Sequence, residues 1–187
     1  MAIDVGTGDG RAVLAAAARD PRTLVLGLDA NAAAMAESSR RAAAPVRRGG
    51  RPNAGFIVAA AEAVPAALAG VAGLVTVRFP WASLLRGCLG GDAAVASGIA
   101  SLVAAGGALE MLLAPAARDG LDDLPNDPDG VAAAAIAAFE PLGFSATVAR
   151  PASDGEVSAS GSTWAKRLRS QRPTDRPVML VRLCRSR

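Results

Sequence analysis

Short apolar runs alternate with longer segments of helical spacing along the whole chain. Residues 2–5, Ala-Ile-Asp-Val, read as a short strand that enters a glycine loop. Residues 11–19 read as a helix bracketed by Arg11 and Arg19 and ended by Pro21. The apolar run 23–28 suits a buried parallel strand. Asn31 can cap a helix that continues to about residue 43, and the Gly-Gly-Arg-Pro-Asn stretch 49–53 reads as a loop. Residues 54–59 and 74–78 supply a third and a fourth strand, and 93–104 a helix. Gly106-Gly107 turns into a fifth strand over 108–113. Asp129 or Gly130 starts a helix to about Glu140, and Gly143-Phe144 leads into a sixth strand. Residues 178–183 form the last strand, and the stretch 151–176 before it is polar, Ser-rich and basic. Strands separated by helices imply right-handed βαβ units and a parallel sheet. With no repeat and no linker, the pattern predicts one α/β domain over 1–187, a mostly parallel seven-stranded sheet with helices on both faces.

Composition narrows the chemistry. The 187 residues suffice for one domain with a substantial core. Of these, 51% are hydrophobic, much of it alanine, which favours helix. His and Tyr are absent, Lys166 is the single lysine, and a coding bias toward Ala, Gly and Arg accounts for this. The lack of His excludes a Ser-His-Asp triad, a Cys-His dyad and a His-ligated metal. Cys88 and Cys184 are far apart, form no ligand pattern and read as small core hydrophobes, so no metal is expected. No signal peptide is expected, and the apolar stretch 12–18 is too short to span a bilayer; the expectation is a cytoplasmic protein.

The net charge of +3 is modest but segregated. Arg40, Arg41, Arg47, Arg48 and Arg51 form an acid-free basic run. Lys166, Arg167, Arg169, Arg172 and Arg176 form a second, interrupted only by Asp175. Between them Asp119, Asp122, Asp123, Asp127 and Asp129 make an acidic loop. This suggests a face for an anionic partner, although solvated helix faces and loops also carry charge runs.

The stretch Asp4-Val-Gly-Thr-Gly-Asp-Gly10 follows a strand and opens a helix. Glycines there permit a tight turn and close approach of a ligand to backbone. The Gly-x-Gly-x-Gly spacing alone is weak, since a structural turn produces it too. Asp29, at the end of the second strand, strengthens it, because an acid there accepts hydrogen bonds from ribose hydroxyls. A dinucleotide site has G-x-G-x-x-G and a helix N-terminus facing pyrophosphate. Here the third glycine comes one residue early and Asp4 and Asp9 add negative charge, which repels pyrophosphate and suits a cationic sulfonium cofactor with an α-amino group. Asp4 to Gly10 therefore resembles motif I of class I methyltransferases. Ala60-Ala-Glu-Ala-Val-Pro65 resembles the D-A-E-x-L-P stretch that holds the cofactor adenine in that superfamily. Ala60 replaces its first acid, so the Ala61 N–H and Glu62 would carry the contact; by itself Glu62 also reads as an ordinary helix-start glutamate.

Trp81 lies just past the fourth strand, in Arg78-Phe-Pro-Trp-Ala-Ser-Leu-Leu-Arg-Gly87, and Trp164 just before the last, in Ser162-Thr-Trp-Ala-Lys-Arg-Leu168. Either Trp alone reads as a core or interface residue, but flanking Pro, Ser and Arg place both outside the apolar runs. In a parallel sheet both can sit at the carboxyl edge, over the cofactor crevice. Together the three motifs resemble the aminoglycoside-resistance 16S rRNA methyltransferases of the kanamycin–apramycin type, which methylate N1 of adenine 1408 in the decoding site. The resemblance runs from Met1 to about Val181, and its second and third motifs are specific to the family.

The resemblance implies a Rossmann-like class I fold and S-adenosyl-L-methionine as cofactor, bound by Asp4, Gly6, Gly8, Asp29, Ala61 and Glu62. Arg78, Phe79 and Ser83, with Ser162 and Thr163, would close over cofactor and target. Trp81 and Trp164 would stack on the two faces of a flipped adenine, and the Pro80 carbonyl would accept from its N6 amine. Arg40, Arg41, Arg47, Arg48, Arg51, Lys166, Arg167, Arg172 and Arg176 would dock 16S rRNA of the 30S subunit. A monomer without metal or membrane contact is implied. Family members carry an N-terminal extension ending in a hairpin, whereas this chain starts almost at the first strand, so the extension is expected to be absent. Ala82 stands where relatives are expected to have Gly. The residues themselves leave open a small-molecule methyltransferase, which needs no basic face, and a catalytically impaired RNA-binding homologue, which would lose the cofactor loop. A nicotinamide oxidoreductase is disfavoured by the acidic loop.

Overall fold

β1 (Ala2–Val5) is buried at the centre of a seven-stranded sheet and pairs in parallel with β2 (Val25–Asp29) on one side and β4 (Ala72–Arg78) on the other. A computed structural model describes residues 1–114, 123–162 and 177–187. β3 (Ala54–Val58) lies outside β2, and β5 (Val103–Leu113) lies beyond β4, both parallel. β7 (Met179–Arg185) inserts antiparallel between β5 and β6 (Phe144–Pro151), so the order is β3-β2-β1-β4-β5-β7-β6. The chain order reverses at β1–β4, which opens a crevice at the carboxyl ends of the central strands.

The expected elements are present with local shifts. The helix expected over 93–104 is α4 (Ala93–Leu102), and β5 follows it at once. Gly106, at φ +71°, is a kink within β5 rather than a turn ahead of it, where the pairing with β4 shifts register. Asp92 caps α4 through the N–H groups of Ala94 and Val95, and Asp127 caps α5 (Pro128–Phe139) through that of Gly130. Asp123 holds Arg86 through two hydrogen bonds of 2.9 and 2.8 Å. The acidic loop thus spends Asp123 and Asp127 on structure, whereas Asp119 and Asp122 lie outside the described residues.

Two helices were not foreseen. α3 (Ala82–Cys88) follows Trp81 directly, and α6 (Asp154–Ala159) occupies the start of the polar stretch. The signal for α6 was a capping box, Ser153-x-x-Glu156, with both reciprocal bonds formed. Glu156 also takes two hydrogen bonds from Arg150, which with the Ser153 N–H and hydroxyl pull its carboxyl down to about 2. A depressed carboxylate stabilises above its ordinary value of 4.5, so this brace persists at neutral pH and is lost as pH falls through about 2.

The main core lies between the sheet and α3, α4 and α5, around Val75, Leu85, Ile99, Leu109, Phe139 and Leu183. α1 (Arg11–Arg19) covers the opposite face with Val13 and Ala17 against Val25, and α2 (Ala32–Ala42) lies beside it with Met35 buried. Cys88 is buried in the main core and its thiol is pushed up to about 12 by burial, so it is inert, while Cys184 is half-buried. No helix among the described residues is long and apolar enough to cross a membrane.

Candidate functional site

The crevice is a cleft of about 450 Å³ at the carboxyl ends of β1, β2, β3 and β4. Its floor is the glycine loop. Gly6, Gly8 and Gly10 all adopt positive φ (+68°, +57° and +71°), which explains their spacing. A Cβ on Gly6 would lie 2.3 Å from Leu84 Cδ2, and one on Gly10 would lie 2.4 Å from the Phe56 ring. These two glycines let α3 and β3 close on the loop. Gly8 differs, because a Cβ there would meet nothing within 4 Å. Its backbone faces open space in the cleft.

Asp29 stands at the rim. Its Oδ2 accepts from the Gly8 N–H at 2.8 Å and its Oδ1 from the Asn31 N–H at 2.8 Å. These bonds fix the carboxylate, and each oxygen keeps acceptor capacity for a hydroxyl. Asp4 is buried beneath the loop and takes a 2.6 Å hydrogen bond from the Thr76 hydroxyl and an ion pair from Arg78. Arg78 thereby presents a guanidinium to the cleft while compensating a buried carboxylate.

Ala61 and Glu62 form a single 3₁₀ turn after β3, with Ala61 buried and Glu62 exposed, and both line the cleft. Sequence reasoning missed what holds this turn. Gly98 on α4 lies against it so closely that a Cβ would fall 1.7 Å from the Ala61 carbonyl oxygen. The available signal was an isolated glycine inside a helical pattern, which usually has a packing reason.

The β4–α3 segment forms the remaining wall. Phe79, Pro80, Trp81, Ala82 and Ser83 all line the cleft. Phe79 and Ala82 have φ of 52° and 50°, the only positive-φ non-glycine residues described. Such backbone costs of order 1–3 kcal/mol per residue and persists only where the surroundings impose it. Phe79 is 8% exposed and packs with Leu112, Val157 and Leu180, whereas Trp81 is 74% exposed. Trp81 is therefore no core residue; it stands out of the fold over the cleft. The Ala82→Gly variant removes the left-handed penalty, partly offset by the entropy of the unfolded glycine. We expect urea denaturation to show a gain of about 0.5–1 kcal/mol. A loss of that size would mean that Ala82 is unstrained in solution.

Ser162 reaches the cleft from α6. Gly161, at φ +69°, precedes it, and its Cβ would lie 3.4 Å from Ala12 Cα, so the chain grazes α1 there. Arg19 ties the same corner by donating to the Ala159 carbonyl at 3.1 Å. Thr163, Trp164, Lys166, Arg167, Arg172 and Arg176 lie outside the described residues.

The first basic run is on the surface at the end of α2 and the following loop. Arg40 pairs with Glu37 at 2.7 Å, and the half-buried Arg51 donates to the Gly49 and Gly50 carbonyls. Arg41, Arg47 and Arg48 are exposed and have no acidic partner among the described residues. Within that same set, no cluster of three or more His, Cys, Asp or Glu side chains is placed to hold a metal ion.

Known proteins match this architecture over nearly its whole length. The family model for the NpmA type of 16S rRNA (adenine(1408)-N(1))-methyltransferase matches residues 1–182. A 16S rRNA (adenine(1408)-N(1))-methyltransferase of Streptoalloteichus hindustanus is 35% identical over 178 residues, covering 92% of this chain and 81% of that protein. The crystal structure of a mutant of the Catenulisporales acidiphilia enzyme of the same description, with cosubstrate SAM, superposes with TM-score 0.86 at 32% identity, covering 100% of this chain and 85% of that one. The aminoglycoside resistance methyltransferase NpmB1 gives TM-score 0.81 at 38% identity, over 98% of this chain and 86% of the other.

Proposed function

The chain belongs to the 16S rRNA (adenine(1408)-N(1))-methyltransferase family, and from that premise we propose that it transfers a methyl group from S-adenosylmethionine to N1 of adenine 1408 in the 30S subunit, conferring aminoglycoside resistance. The observation that carries this reading is the exposed Trp81 at the mouth of a cleft floored by the glycine loop, with Asp29 at its rim.

The cleft suits the cofactor. Gly8 leaves room for close approach, Asp29 retains acceptors for ribose hydroxyls, and Ala61 with Glu62 offers a backbone N–H and a carboxylate for the adenine side. Asp4, with Arg78 beside it, puts opposite charges where an amino group and a carboxylate are to be held. Ser83, Ser162 and Thr163 contribute hydroxyls from the two flanking segments. When bound, S-adenosylmethionine supplies an electrophilic methyl on a sulfonium.

The base must leave its stack to expose N1. Trp81 and Trp164 hold it by its two faces, at about 1–3 kcal/mol per stacked base. The Pro80 carbonyl accepts from the N6 amine and fixes which edge faces the cleft. N1 is a free lone pair, so no proton departs and no histidine base is required. The adenine gains positive charge as the methyl arrives, which indole faces tolerate. Catalysis is alignment and proximity.

Arg41, Arg47 and Arg48, with Arg40, Arg51 and the second basic run, dock the rRNA backbone, because structured RNA is bound mainly through shape and phosphates. Replacing Arg41, Arg47 and Arg48 together by alanine should weaken 30S binding and flatten the slope of log K against log salt by about three. An unchanged slope would remove this face from the docking surface. The proposed activity is tested by transfer of labelled methyl from S-adenosylmethionine to 30S subunits, 50S subunits and small-molecule acceptors. Label confined to 30S supports it; label on a small molecule alone would favour the small-molecule enzyme.

A further inference from the structure

Side chains alternate between the two faces of a strand. Ile3 and Val5 of β1 and Val75 and Val77 of β4 enter the main core, so Asp4, Thr76 and Arg78 share the opposite face. Asp4 and Thr76 are direct partners across the parallel β1–β4 pair, and Arg78 lies two residues further along β4. Asp4 and Thr76 are each only 4% exposed. The Thr76 hydroxyl donates to Asp4 Oδ1 at 2.6 Å, and Arg78 Nη1 donates to that same oxygen. Asp4 Oδ2 accepts no hydrogen bond among the described residues. It is not sealed in either, because Thr7 Oγ1 is the one fully buried side-chain oxygen or nitrogen there that lacks a partner. Asp4 lines the cleft, so its open oxygen faces that space. Thr76 stands behind Asp4 and does not line the cleft.

We propose that Thr76 is a positioning residue for the amino-acid end of the cofactor: with Arg78 it pins Asp4 Oδ1, and so turns Oδ2 into the cleft as the acceptor for an ammonium group. This rests on the reading above that Asp4 holds the amino group of S-adenosylmethionine. A carboxylate held by Arg78 alone can turn about its Cβ–Cγ bond and close both oxygens on the guanidinium as a two-bond ion pair. An incoming ammonium would then compete with Arg78 for every lone pair. The Thr76 hydroxyl, fixed on the neighbouring strand, holds the carboxylate against that rotation. The effect is confined to one end of the ligand, because the contacts assigned to the nucleoside come from Asp29 and the 61–63 turn, on other elements.

The test is calorimetry on the full chain with two ligands, S-adenosylhomocysteine and 5′-methylthioadenosine. The second keeps the nucleoside and the thioether sulfur but has no amino-acid end. Thr76→Val keeps nearly the same shape and suits a strand, so it removes little besides the donor. We expect it to raise Kd for S-adenosylhomocysteine by about 10-fold while Kd for methylthioadenosine stays within about two-fold. Thr76→Ser, which restores the hydroxyl, should recover most of the lost affinity. In an Asp4→Asn background, Thr76→Val should cost little more, because the two residues act as one unit. An unchanged Kd for S-adenosylhomocysteine in Thr76→Val, or an equal loss for both ligands, would overturn the proposal. If Thr76→Val does not fold, Thr76→Ala and Thr76→Ser decide by the same ratio of the two Kd values. Asp4→Asn separates the two ideas. Full affinity for S-adenosylhomocysteine there overturns the assignment of Asp4 to the amino group, whereas its loss beside an unaffected Thr76→Val overturns only the role of Thr76.

Discussion

Trp81→Ala lowers methyl transfer to 30S subunits by about 10²-fold or more, while Kd for S-adenosylhomocysteine stays within a few-fold. The expectation follows from where the side chain is. Trp81 is 74% exposed, so its removal leaves no cavity in the core and stability changes little. One lost stacking face is worth about 1–3 kcal/mol, roughly 5- to 150-fold. Loss of alignment adds to this, because a base held on one face no longer presents N1 along a fixed line. The cofactor contacts assigned to Asp29, Gly8 and Ala61 are on other elements and are untouched. Single-turnover methylation and calorimetry on the same preparation check the split. Retained methylation would dismiss Trp81 as a stacking face, and a parallel loss of cofactor affinity would make it part of the cofactor pocket.

Gly98→Ala is expected to act in the opposite sense, weakening cofactor binding from a residue that is itself outside the cleft. The added methyl would fall 1.7 Å from the Ala61 carbonyl oxygen, and backbone rather than a flexible side chain is in the way. Two effects compete. Alanine gains about 1 kcal/mol of helix propensity over glycine. Overpacking against a fixed neighbour costs about 1–3 kcal/mol, so the net change is destabilising or near zero. Relief requires α4 and the 61–63 turn to separate, and that turn is the wall assigned to the cofactor adenine. Affinity for S-adenosylhomocysteine should fall by at least about 10-fold, with the thermal shift it produces largely lost. An unchanged thermal shift would show that the turn does not hold the cofactor.

Much of this was legible because the informative residues are local. The Asp4 to Gly10 loop, Asp29 after a strand, and the Pro80-Trp81 and Ser162-Thr-Trp164 stretches carry their meaning in short spacing. The glycine loop in particular needs positive φ at Gly6, Gly8 and Gly10, which the residue type itself announces. What stayed hidden depends on contacts distant in sequence. Gly98 meets Ala61, Phe79 shares a cluster with Val157, and Leu84 covers Gly6, and no periodicity within one segment reports such links. The antiparallel insertion of β7 is equally silent, because its apolar run has the same pattern in either direction. The strain at Ala82 was visible only as a residue out of place, and its φ of 50° supplies the reason. The basic run divided along physical lines: Arg40 and Arg51 are engaged within the fold, while Arg41, Arg47 and Arg48 face solvent.

The most direct test of the central claim is reverse transcription of 16S rRNA after incubating 30S subunits with this protein and S-adenosylmethionine. Methylation at N1 blocks Watson–Crick pairing, so the site and the atom are read together. The account predicts a cofactor-dependent stop immediately before adenine 1408, lost in Trp81→Ala. Methyl incorporation without a stop there, or a stop at another nucleotide, would contradict it.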